Sequence, residues 1–175
     1  MKITFYGGVG AVTGANYLVE SGDTKILVDC GMHQGSNFCE KHNFEPFKYA
    51  PESIAAVFVT HAHIDHIGRL PKLYRDGFRG TVYSTPPTKD FSELMLIDSE
   101  HIIVEEAKKF KKEPIYDIAA VNDVMGAWKG VPYHEPVRVG PFTVTLYSAG
   151  HILGSSIIAV AAEGKTVVFS GDLGN

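Results

Sequence analysis

Apolar residues recur along this chain in short runs, most of them closed by glycine or by a polar cluster. Lys2 to Tyr6, Asn16 to Glu20 and Lys25 to Asp29 read as strands, the last two paired around Ser21-Gly22-Asp23, whose composition suits a hairpin turn. Further strands are predicted at Val57 to Thr60, Thr81 to Ser84, Val131 to Tyr133, Val137 to Val139, Phe142 to Tyr147, Ile157 to Ala161 and Thr166 to Ser170. Ile64, Ile67 and Leu70 begin a helical spacing, and Ile67 to Arg75 is expected to be a short helix interrupted by Pro71. Pro86-Pro87 opens a long helix to about Lys112, with Phe91, Leu94, Met95, Ile102 and Phe110 as the face expected to pack on a sheet. Tyr116 to about Met125 is a further helix, and Trp128 is expected in the core. Met32 to Pro51 has no clear period and reads as loop. Strands with intervening helices and little internal repetition predict one α/β layered domain over residues 1–175.

Composition narrows the class. At 175 residues and 45% hydrophobic, the chain can build a core of ordinary density. A formal net charge of -4 argues against a generally basic nucleic-acid coat, though not against RNA held in a local cleft. No apolar stretch approaches the roughly 20 residues that span a bilayer, and no signal-peptide pattern opens the chain. Two cysteines, Cys30 and Cys39, make no disulfide framework, and a cytoplasmic protein is expected.

The chemistry gathers where strands end. The run through Thr60 stops in His61-Ala62-His63-Ile64-Asp65-His66, three imidazoles and a carboxylate in six positions on a strand-to-helix loop. These are the ligand types that zinc and similar divalent ions take. Asp29, His151 and Asp172 likewise follow apolar strands, and strand ends on one edge of a sheet can converge. Gly7, Gly8, Gly10 and Gly14 suit either tight turns or a phosphate-cradling loop. Lys108 to Lys112 reads as a solvated helix end, with an RNA contact as the alternative. His42 and His101 read as surface or packed side chains, and His33 is assigned no role.

The series His-Ala-His-Ile-Asp-His, Gly-His and Gly-Asp resembles the metallo-β-lactamase superfamily. Val12 to Val19, Asp29 to Met32, Ser84 to Thr88 with Glu93-Leu94-Met95, Ala149 to Ser155 and Ser170 to Gly174 are similar to its β-CASP branch of RNA-processing nucleases. The resemblance implies a four-layer αββα sandwich, incomplete at its carboxyl end, because a capping insertion and a returning segment would follow these residues. It implies zinc, two ions in the complete enzyme and one or two here. His61, His63 and His151 would hold one ion, Asp65 and His66 the other, and Asp172 would bridge them. Asp29 would be a supporting acid beside Asp65 in the catalytic set. The implied reaction is hydrolysis of RNA phosphodiester bonds by metal-activated water. The start of the helix at Asp65-His66 would add a positive dipole end favourable to an anion. The resemblance places further groups in the later segments, among them a leaving-group acid and a histidine completing the second zinc. The chain alone is therefore expected to be weakly active or inactive. A small-molecule ester or thioester hydrolase and a non-catalytic RNA-processing partner are the alternatives.

Overall fold

Strands β1 (Lys2–Gly7), β2 (Asn16–Ser21), β3 (Thr24–Val28), β4 (Ile54–Phe58), β5 (Thr81–Ser84) and β6 (Trp128–Gly130) make a six-stranded sheet in that order. This and all that follows come from a computed structural model that describes residues 1–35, 41–111 and 113–174. The first three strands pair antiparallel, and β3 to β6 run parallel. A second, antiparallel sheet joins β7 (Val137–Val139), β8 (Phe142–Ser148), β9 (Ser156–Ala162) and β10 (Lys165–Phe169) in the order β10-β9-β8-β7.

The two-residue period of each strand divides the first sheet between two cores. Val19, Ile26, Val28, Ala56 and Phe58 meet Phe142, Val144, Leu146, Ile158 and Val160 of the second sheet. Leu18, Leu27, Val57, Val59 and Val82 face the other way and meet helical residues Ile67, Leu70, Leu73, Leu96, Val121 and Val124. Being covered on both sides is why β3 and β4 read as unbroken apolar runs. The result is helices on sheet on sheet, the α/β arrangement expected from the sequence. Among the described residues three of the four expected layers are formed, since the helical core residues all pack on the first sheet while Tyr147 and Val168, on the outer face of the second, are exposed.

The helical segment after the histidine loop forms two pieces, α1 (Ile64–Ile67) and α2 (Leu70–Arg75). Pro71 sits in the first turn of α2, where its missing N–H costs nothing, so it starts a helix rather than interrupting one. One turn of helix cannot sum a macrodipole, and α1 lends none to the site. The long helix α3 (Pro86–Phe110) starts at Thr85, whose side chain accepts from the Thr88 N–H, and α4 (Ile118–Gly126) is capped likewise by Asp117. Helix α3 turns a different face inward from the one expected. Thr88, Ser92, Leu96 and Ser99 are buried, whereas Phe91, Leu94, Met95 and Ile102 are exposed. Strand β6 begins at Trp128 rather than Val131, because the indole Nε1 donates to Ser84 Oγ at 2.8 Å and registers Trp128 opposite Val82. Cys39, Lys112 and the side chain of Phe110 lie outside the described residues. No described helix is long and apolar enough to cross a membrane.

Candidate metal centre

Parallel pairing of β3, β4 and β5 brings their carboxyl ends to one edge, where the loops that follow can share a site. The loop after β4 carries Thr60 to His66, and three backbone hydrogen bonds clamp it from neighbouring segments. The Ala15 N–H donates to Asp65 O, the Cys30 N–H to His66 O and the Met32 N–H to Ile64 O, at 2.9, 2.8 and 3.0 Å. Residue 31 must be glycine in this arrangement, because a Cβ there would collide with the Asp65 carbonyl. This gives the Val12 to Val19 and Asp29 to Met32 stretches a physical purpose: they hold the histidine loop.

The His151 loop is tied in from the far side. Thr85 Oγ1 and Thr88 Oγ1 both donate to Gly154 O, at 2.7 and 2.8 Å, so the start of α3 anchors the turn. Gly154 has φ +86°, and a Cβ would press on Thr85 and Thr88. Ser155 Oγ accepts from the His151 and Ile152 N–H groups, at 3.1 and 3.2 Å, which fixes the direction of the histidine. The Ser156 N–H donates to Thr60 O at 2.7 Å and joins the two histidine loops across the sheets.

These restraints bring His61, His63, His151 and Asp172 together. His63 Nδ1 lies 3.0 Å from His61 Nε2 and 3.3 Å from His151 Nε2. Asp172 Oδ2 lies 3.7 and 3.6 Å from the Nε2 atoms of His61 and His151. Ligands about 2.0–2.2 Å from a tetrahedral divalent ion stand roughly 3.3–3.6 Å apart. The spacing fits one ion. Asp172 turns its other oxygen to His66, with Oδ1 3.5 Å from His66 Nε2, while Asp65 Oδ2 lies 3.7 Å from that same nitrogen. Asp65 and Asp172 thus both flank His66 Nε2, a smaller group beside the four-residue cluster, with Asp172 reaching both.

Asp29 is buried behind both groups and does not face the open side. Its Oδ2 accepts from His66 Nδ1–H at 2.8 Å and from Thr60 Oγ1–H at 2.8 Å, while Oδ1 takes the Thr60 N–H at 2.8 Å. Thr60 Oγ1 is also 3.1 Å from His61 Nδ1, placed to accept that ring's proton and leave its Nε2 lone pair free. Thr60 is the functional residue that sequence reasoning missed, since a β-branched residue ending a buried strand looked like core. The one available signal was its position immediately before His61.

Charge divides the two groups. Burial, with the His66, His63 and His151 rings adding to it, holds His61 down to about 2, so it is neutral at pH 7. For His66 burial opposes charging, but Asp29, Asp65 and Asp172 outweigh it and raise the ring to about 9. Without metal, His66 keeps a proton on Nε2 that a ligand must lose.

His33, His42 and His101 stand apart from this cluster. The described part of the glycine-rich loop packs tightly: a Cβ on Gly7 would meet Gly14 O, and one on Gly14 would meet the His33 ring.

The chain belongs to the metallo-beta-lactamase superfamily, whose model matches residues 9–175. Ribonuclease TTHA0252 of Thermus thermophilus is 40% identical over 175 residues, all of this chain and 38% of the relative. Transcription termination factor FttA of Methanosarcina mazei is 35% identical over 98% of this chain and 27% of its own length, and RNase aCSPSF2 of Saccharolobus solfataricus 37% over 89% and 30%. These relatives are in keeping with the RNA-processing branch that the motifs resemble, and the chain spans less than two-fifths of each. Among solved structures, the metallo-beta-lactamase fold protein YhfI of Bacillus subtilis shares the fold with a TM-score of 0.59 at 20% identity, covering 97% of this chain and 62% of YhfI.

Proposed function

We propose that this chain is the metal-binding part of a zinc-dependent ribonuclease that hydrolyses RNA phosphodiester bonds. The observation that carries the reading is the cluster of His61, His63, His151 and Asp172, whose other Asp172 oxygen turns to His66, set in a chain whose curated relatives are named as ribonucleases and a termination factor. Imidazole and carboxylate donors at this spacing suit zinc. His61, His63 and His151 would hold one ion, Asp65 and His66 the other, with Asp172 between them. Ions so held would supply an activated water and positive charge to offset that of the phosphate.

The residues themselves prepare the site. Thr60 and Asp29 fix His61 and His66 with their Nε2 atoms outward, so the ligands need little rearrangement. Asp172 is 46% exposed, which leaves the shared carboxylate on the side open to a substrate. Asp29, buried, acts as a positioning acid rather than as a group touching substrate. Asp65 is the catalytic carboxylate of the reading because it lies on that same side beside His66.

The test is cleavage of a labelled single-stranded RNA by the zinc-loaded chain, beside a panel of ester and thioester substrates. Cleavage at any measurable rate, abolished by His63→Ala and by chelation, is the expected result. Turnover of esters with intact RNA, or RNA cleavage that survives His63→Ala, overturns the reading.

A further inference from the structure

A second polar site lies on the other flank of the histidine loop, around a cation that the metal chemistry does not use. Arg69 follows α1 directly and is only 6% exposed. Its backbone N–H donates to Cys30 O at 2.9 Å and its Nε to Gly31 O at 2.7 Å, so the side chain is pinned to the segment that clamps the metal loop. Among the described residues neither Nη group has a hydrogen-bond acceptor, and no carboxylate pairs with the guanidinium. The neighbouring Lys72 makes the contrast. It is equally buried and also lies over the Phe47 ring, 4.5 Å from the centroid against 5.3 Å for Arg69, but it is paired with Asp76. The two Nη donors of Arg69 are taken by no described protein group and are not enclosed, so they open on the cavity beside them, free to meet an anion.

The space beside it has the character of that partner's site. Arg69 borders a cavity of about 190 Å³ whose lining includes His33, His42, Lys48 and Tyr49 and no ligand of the metal centre. Its one acidic residue, Glu45, is engaged by His42 Nδ1 at 3.1 Å. The wall is firm, because Asn43 holds the backbone of His33 through both its N–H and its carbonyl, at 2.7 and 2.8 Å. We propose that this cavity is an anion subsite, separate from the metal centre, in which the Nη groups of Arg69 receive a phosphate group. Two parallel guanidinium donors match two phosphate oxygens, and the exposed Lys48 adds a point charge at the rim. The volume is below the roughly 300–1,000 Å³ of pockets that take drug-sized ligands, so the cavity takes a phosphate group and not a whole nucleotide.

An RNA backbone phosphate and free inorganic phosphate present the same chemistry, and the first source rests on the ribonuclease reading. The test is a nuclear magnetic resonance titration of the ¹⁵N-labelled, zinc-loaded chain with inorganic phosphate, following the Arg69 Nε–H and the amides of His33 and Tyr49. A saturable shift of these signals is expected. Lys48→Glu, at an exposed position, should weaken it at least tenfold without changing zinc content, and Arg69→Lys, which lacks the paired donors, should do the same. Should Arg69→Lys fail to fold, Lys48→Glu decides. Displacement of the phosphate by a short oligouridylate without terminal phosphates assigns the site to the RNA chain; no displacement assigns it to the free ion. The proposal is overturned by shifts confined to the amides around His61 and His151, by no saturable shift, or by affinity unchanged in the folded variants. None of these readouts depends on RNA cleavage, so the two proposals stand or fall separately.

Discussion

Asp29 sets the charge of the proposed metal centre from behind. It occupies the left-handed region, φ 58°, uncommon for a residue with a Cβ, and from there one carboxylate serves both Thr60 and His66. Because the folded chain raises His66 to about 9, zinc entering the Asp65/His66 group displaces a proton at every pH below that value. Affinity of this group should therefore rise by about tenfold per pH unit up to pH 9. His61, already neutral, has no proton to lose, so the group it belongs to should show a shallower dependence. Equilibrium dialysis against zinc at pH 6 and at pH 8.5 should find one tightly held equivalent at the lower value and a second gained at the higher. Two equivalents held equally at pH 6 would contradict the assignment. The metal-free chain carries the same asymmetry in stability. A raised histidine stabilises fully below the unfolded value of 6.5 and loses that contribution between 6.5 and 9. A lowered one, His61, costs stability as pH falls below 6.5, where only the unfolded chain takes the proton. Thr60→Val tests the relay directly. It keeps the shape but leaves His61 Nδ1 and Asp29 Oδ2 short of a partner, so zinc affinity should fall about 10- to 100-fold, read by competition with a chromophoric chelator. Thr60→Ser should restore most of it.

Elements show where the sequence could be read and where it could not. Strands β3 and β4 were legible because apolar residues fill both faces, and the histidine loop because six positions hold four candidate ligands. Helix α3 was legible in extent and wrong in face. Its inward positions Thr88, Ser92 and Ser99 are small or polar: Thr88 donates to Gly154 O and Ser99 Oγ accepts from Tyr116 O–H at 3.2 Å, while Ser92 Oγ is buried without a partner among the described residues. Hydrophobic spacing selects the larger side chains Phe91, Leu94 and Met95, and nothing in one helix's pattern reveals that a neighbouring loop demands close approach. The clamp on α1 was likewise invisible, since Ala15, Cys30 and Met32 act through their backbone. Glycine substitution measures that clamp. Gly31→Ala forces a Cβ into the Asp65 carbonyl and should cost about 3 kcal/mol or more, at or beyond the upper end for overpacking, in urea unfolding. Gly126→Ala, in the last turn of α4 with nothing near its Cβ position, should instead stabilise by about 0.5–1 kcal/mol. Equal effects at the two sites would deny Gly31 its role.

At the scale of the molecule, the ligand set spans both sheets. His61 to His66 follow β4 of the first sheet, whereas His151 and Asp172 follow β8 and β10 of the second. The core between the sheets is closed by Phe58, Phe142, Leu146 and Ile158, and at the site edge protein bonds such as Ser156 N–H to Thr60 O join them. Metal held there would act as a cross-link between the sheets, through ligands that the sequence separates by more than eighty residues. Such a ligand stabilises by mass action, about 2.7 kcal/mol at a free concentration one hundred times its dissociation constant. For a domain of this length that corresponds to a midpoint higher by about 5–10 °C. Thermal unfolding of the chain with one hundredfold excess zinc over the measured constant, against the chelated chain at the same pH, should show this difference. His151→Ala should abolish most of it while leaving the chelated midpoint within a few degrees, because His151 is partly exposed on a turn fixed by Ser155 and Gly154. Asp65→Ala, which touches only the first-sheet loop, should remove the smaller part. A chelated chain that melts with the loaded one, metal demonstrably gone, would mean that the two sheets meet at this edge without the ion and that the four converging side chains serve chemistry alone.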